Sequence, residues 1–155
     1  MVKIGVDSSG HVKNPPIWIV GTRNSRKKGQ KMHSIYISPA KHEQLEQCSA
    51  NWIEKVSAIL IFRAIHPIFC EGDAIVIDKD FQGKTCKYVE VYLKKLLCHK
   101  YPRKPLMSNP NVFFIPDNQS AEVKHAHIKS KNLRYKRITL DEKDPDLSKE
   151  FEILR

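Results

Sequence analysis

The sequence predicts an α/β domain: five strands in one mixed sheet, in the order 3-2-1-4-5, with helices packed on its faces. Three observations predict it. The first part of the chain reads as three strands joined by short turns. The rest alternates helix-period apolar stripes with short apolar runs, the pattern of crossover units. At 155 residues, 41% hydrophobic and 28% charged, the chain has the size and composition of one ordinary globular domain.

Taken in order, residues 2–6 form the first strand, and the Pro-containing stretch 10–16 is a turn region. "IWIVGT" (17–22) is the second strand and "MHSIYIS" (32–38) the third. "RNSRKKGQK" between them is a hairpin tip carrying basic side chains and a turn glycine, Gly29. Ser38 and Pro39 start one long helix: Ser38 caps it and Pro39 suits its first turn. Leu45, Cys48, Trp52, Val56 and Ile59 recur along it at three-to-four spacing, and Pro67 ends it.

"DAIVID" (73–78) is a fourth, buried strand, followed by a helix over 83–99. Pro102 and Pro105 break the chain before the fifth strand, "NVFFIP" (111–116), and a third helix covers 120–131. Residues 1–140 make up the domain, and 141–155 are a charged tail, a surface segment or a last short helix. Right-handed crossovers place the fourth strand beside the first and the fifth beyond it, all three parallel.

Parallel strands of an open sheet bring their carboxyl ends to one edge, where such sheets bind ligands. Asp7 ends the first strand, Asp78 the fourth, and Asp117 follows the fifth. A single aspartate there reads as a turn residue. Three at one edge repel each other unless a cation lies among them, and hard carboxylate oxygens suit Mg²⁺ or Mn²⁺.

On Asp7, Asp78, Asp117, the element order and the motif "VDSSG", the chain resembles the ribonuclease H-like superfamily of nucleases and integrases. With "AIVIDK" and the helix after it, it is similar to a branch of that group that begins with an Asp-x-Ser-Gly motif. The resemblance covers residues 2–131 and implies metal-dependent phosphodiester hydrolysis. Two divalent ions about 4 Å apart would clamp the scissile phosphate, Asp7 bridging them and Asp78 and Asp117 each completing one side. Such proteins often add a carboxylate from the first helix, for which Glu43 and Glu46 are the candidates. His125 and His127 lie two apart on a helix, so only one can face the site, and a histidine there could pass a proton to the leaving oxygen. His125 is taken as the catalytic candidate.

Lys and Arg outnumber Asp and Glu by 27 to 17, a formal charge of +10, which favours a polyanionic partner, nucleic acid first. The expected phosphate contacts are Arg23, Arg26, Lys27, Lys28 and Lys31 on the hairpin, and Lys129 and Lys131 after the histidines. His99, Lys100, Arg103 and Lys104 around Tyr101 form a further cluster.

Competing classes are weaker. The chain is too short for the two domains of a sugar-kinase-like ATPase, and no G-x-G-x-x-G follows a strand. The four cysteines match no zinc spacing. No apolar run approaches the ~20 residues a membrane helix needs, and nothing resembles a signal peptide, so a cytoplasmic protein is expected. The alternative to a nuclease is a non-catalytic nucleic-acid-binding protein with the same fold.

Overall fold

The computed structural model describes residues 2–27, 29–46, 50–79, 86–101, 111–116, 120–136 and 140–155. Its strands are β1 (Lys3–His11), β2 (Asn14–Ser25), β3 (Gly29–Ile37), β4 (Ala74–Asp78), β5 (Val112–Ile115) and β6 (Glu142–Lys143). Its helices are α1 (Pro39–Glu46), α2 (Trp52–Ile65), α3 (Cys86–Lys100), α4 (Ala121–Lys136) and α5 (Ser148–Ile153). One sheet runs β5-β4-β1-β2-β3-β6. Strands β1, β2 and β3 form an antiparallel meander, and β4 and β5 run parallel to β1. The expected order 3-2-1-4-5 is therefore present, with a sixth strand added outside β3. This is a ribonuclease H-like topology.

The helices divide between the faces. Ile4, Val6, Ile17, Ile19, Ile35 and Ile37 pack with α2 and α3 in the main core. α2 buries nine of its 14 residues, because the sheet covers one side and α3 and the tail cover the other. The opposite face holds α4, with Val20, Val76, Val123 and Ala126 buried there.

Two glycines set how closely each helix lies on the sheet. A Cβ on Gly5 would come 2.1 Å from the carbonyl oxygen of Glu122 in α4. One on Gly21 would come 2.7 Å from that of Ala64 in α2.

Several local expectations are corrected. β1 does not stop at Val6 but continues through "DSSGH" to His11. β2 begins at Asn14 and so includes Pro15 and Pro16. The prolines are tolerated because the β1–β2 register shifts there and β3 pairs only from Ile17 onward, so no ladder needs their missing N–H groups. Gly10, at φ +100°, supplies the left-handed residue of that irregularity.

The single long helix is two, α1 and α2, with Asn51 in a left-handed conformation (φ 57°) immediately before α2. Ser38 does cap the first: its Oγ accepts from Lys41 N at 3.3 Å. The third helix runs further than expected, to Lys136.

The charged tail is part of the fold. β6 pairs with β3, Leu147 and Leu154 are buried, and Arg63 of α2 holds Glu150 at 2.6 Å and Glu142 at 3.3 Å. β6 thus extends the sheet outside β3, and α5 is the last short helix that the sequence allowed for there. No helix among the described residues is long and apolar enough to cross a membrane.

Candidate functional site

The β1–β4 ladder pairs Gly5 with Val76 and Val6 with Ile77, so Asp7 and Asp78 occupy the next row, side by side where the parallel pairing ends; Asp78 closes β4, while β1 runs on to His11. Side chains alternate along a strand, which puts Asp7 on the face of Gly5 and Asp78 on that of Val76. The near-contact of Gly5 with Glu122 identifies that face as the one under α4. Both aspartates are buried, with 2% and 7% of their surface exposed.

α4 supplies the partner. His127 Nδ1 lies 2.7 Å from Asp7 Oδ2, and its side chain keeps 33% exposure. The close approach of α4 allowed by Gly5 brings the ring over β1. His127 also lies one helical turn past buried Val123, on the inward side of α4.

The two-residue spacing of the histidines has the expected consequence that only one faces Asp7, but that one is His127. His125 turns towards the hairpin, where its Nε2 lies 2.6 Å from the Gln30 side-chain amide. The sequence does not distinguish the two, since His125 lies four residues after Ala121 just as His127 lies four after Val123; the docking of α4 on Gly5 does.

The other expected site residues divide. Glu43 is exposed on α1 and is not brought together with Asp7 and Asp78. Asp117 and Lys28 lie outside the described residues, and so do the side chains of Lys129 and Lys131. Arg26 and Lys27 are exposed at the hairpin tip and Lys31 is exposed on β3.

Arg23 is placed differently from its hairpin neighbours. It is 5% exposed and forms a two-pronged ion pair with Asp73, Nε to Oδ2 at 2.6 Å and a terminal nitrogen to Oδ1 at 3.1 Å. That hydrogen bond holds the guanidinium pKa above its ordinary value. Arg23 is thus engaged inside the protein and does not join the exposed cations.

The donor types at Asp7 and Asp78 fit a hard divalent cation: two buried carboxylates with an imidazole beside one of them. Among the described residues, no three His, Cys, Asp or Glu side chains form a group able to hold a metal ion. Asp78 pairs with Ile115 of β5, and Asp117 comes two residues later. The chain matches no known protein family, no curated protein and no solved structure.

Proposed function

We propose that the protein is a ribonuclease H-like, metal-dependent nuclease that hydrolyses phosphodiester bonds of nucleic acid. One observation carries this reading: two buried aspartates stand side by side where the parallel pairing of β1 with β4 ends, Asp78 at the carboxyl end of its strand. Asp7 and Asp78 would hold Mg²⁺ or Mn²⁺, with Asp117 as the third carboxylate.

A divalent cation, when bound, supplies positive charge to a scissile phosphate and makes water a stronger nucleophile. His127 holds the Asp7 carboxylate in one orientation through Nδ1, and part of its ring stays open to solvent. Arg26, Lys27 and Lys31 are the exposed cations that would draw a phosphate backbone to this domain.

The test is cleavage of end-labelled single-stranded DNA, duplex DNA, RNA and RNA/DNA hybrid with Mg²⁺, Mn²⁺ or EDTA. Wild type is compared with Asp7→Asn and Asp78→Asn. Metal-dependent cutting that both substitutions abolish is the expected result. Cutting that survives both, or that proceeds in EDTA, would refute the reading.

A second reading is a nucleic-acid-binding protein that does not cleave. It is favoured by the Asp7–His127 bond, which already occupies one carboxylate oxygen. It expects binding that EDTA leaves unchanged and no cutting of any substrate.

A further inference from the structure

A cleft of 720 Å³ opens between the β2–β3 hairpin and the first turns of α4. It is separate from the Asp7–Asp78 row. Thr22, on its wall, pairs with Gly5, whereas Asp7 pairs with Val20. Two residues along a strand span about 6.8 Å, so the cleft begins about that distance from the carboxylate row, towards the amino end of β1. Its size suits a short length of a polar polymer as well as a small ligand.

The lining chemistry selects between these. Lys3, Arg26 and Lys27 bring three cations, and Thr22, Asn24 and Ser25 bring short polar side chains. Glu122 is the only acid among the described lining residues, and it accepts a hydrogen bond from Ser120 Oγ at 3.1 Å. No Phe, Tyr or Trp is among these residues, and the His125 ring is engaged by Gln30. A site that reads bases offers aromatic faces for stacking. A site that grips backbone offers cations and small hydrogen-bonding groups.

We propose that this cleft is a backbone-gripping site, where Lys3, Arg26 and Lys27 hold the sugar-phosphate chain of a nucleic acid without regard to base. The proposal rests on the nucleic-acid part of the functional reading and not on catalysis. The site sets affinity for the flank of the bound strand, and Glu122 moderates that affinity by facing the same cleft with the opposite charge.

Fluorescence anisotropy with labelled 20-nucleotide single strands and duplexes, in EDTA across a salt series, tests it. EDTA makes the measurement independent of any metal chemistry. Arg26→Glu/Lys27→Glu is compared with Lys95→Glu/Lys149→Glu, which makes the same charge change at exposed positions on α3 and α5. The hairpin variant should weaken binding about tenfold or more and lower the slope of log Kd against log salt by about 2, since two phosphate contacts are lost. The control should change Kd less than about twofold. Glu122→Gln should tighten binding, with its salt slope unchanged.

Equal losses from the two double variants, or an unchanged Kd in the hairpin variant, would overturn the proposal. So would competition by AMP at the same site with equal affinity per phosphate, which would make it a small-anion pocket. Failure here leaves the Asp7→Asn cleavage result standing, and failure there leaves this binding result standing.

Discussion

His127 and Asp7 are hydrogen-bonded at 2.7 Å although 120 positions separate them in the chain. The bond ties α4 to the middle of β1, where a buried carboxylate would otherwise lose one donor. A hydrogen bond to a charged group contributes about 1.5–3 kcal/mol. His127→Ala should therefore lower stability by about that amount, while Asp7→Asn, which keeps an oxygen acceptor, should cost less. Urea unfolding in EDTA measures both, and equal stability of His127→Ala and wild type would show that the bond contributes nothing to the fold.

The approach of α4 to the sheet depends on Gly5. With backbone oxygen 2.1 Å from the position of an added Cβ, Gly5→Ala must push the helix away. Gly21→Ala meets Ala64 at 2.7 Å and needs a smaller shift. Overpacking of this kind costs about 1–3 kcal/mol, and the Gly5 variant should lie at or above the upper end. Thermal unfolding of the two variants tests the order. Gly21→Ala proving the more damaging would contradict the account of α4 docking.

Arg23 and Asp73 form a buried pair whose carboxylate also accepts from Cys70 N at 2.9 Å. Removing one member of such a pair leaves the other charge buried, at a cost of about 3–5 kcal/mol. Arg23→Met should show that loss in chemical denaturation. It should leave the salt dependence of nucleic-acid binding as in wild type, in contrast to Arg26→Glu/Lys27→Glu. A lowered salt slope in the Arg23 variant would return it to the binding surface.

His66, stacked on Phe62 at 5.2 Å, has its pKa lowered from 6.5 by burial first and by the nearby Lys100 second. The unfolded chain therefore binds the proton at a higher pH than the native one does. Stability contributed by the neutral ring is complete above pH 6.5 and falls as pH drops from there towards the native pKa. His66→Gln should flatten that part of the profile. Denaturant midpoints at a series of pH values, wild type against variant, test it; parallel profiles would remove His66 as a cause.

Much of the architecture was legible in the chain. The apolar runs of β1, β4 and β5, the hairpin glycine and the Ser38 cap are local signals, and local signals give elements and their order. The handedness of crossovers then puts Asp7 beside Asp78 without any knowledge of side-chain contacts. The extent of elements was less legible: "DSSGH" and the two prolines of β2 look like turn material, yet a register shift lets the strands run through them.

Other features were decided only when distant segments packed. The charged tail reads as a surface segment or a last short helix, and the helix is there as α5, but only packing shows that the tail's acids serve the edge of β3: Asp141 accepts from Ser34 N at 2.9 Å and Asp144 from Ser38 N at 2.6 Å. Arg23 reads like its hairpin neighbours, but the β2 register turns it inward to Asp73. His125 and His127 look equivalent until α4 settles on Gly5 and sends one to Asp7 and the other to Gln30. Sequence periodicity and turn chemistry determined five of the six strands, because these depend on neighbours a few residues apart, and crossover handedness then gave their order and set Asp7 beside Asp78. The tertiary structure alone decided which cations stay exposed and which histidine reaches the carboxylate. Those outcomes depend on the depth and angle at which helices and tail dock on the sheet.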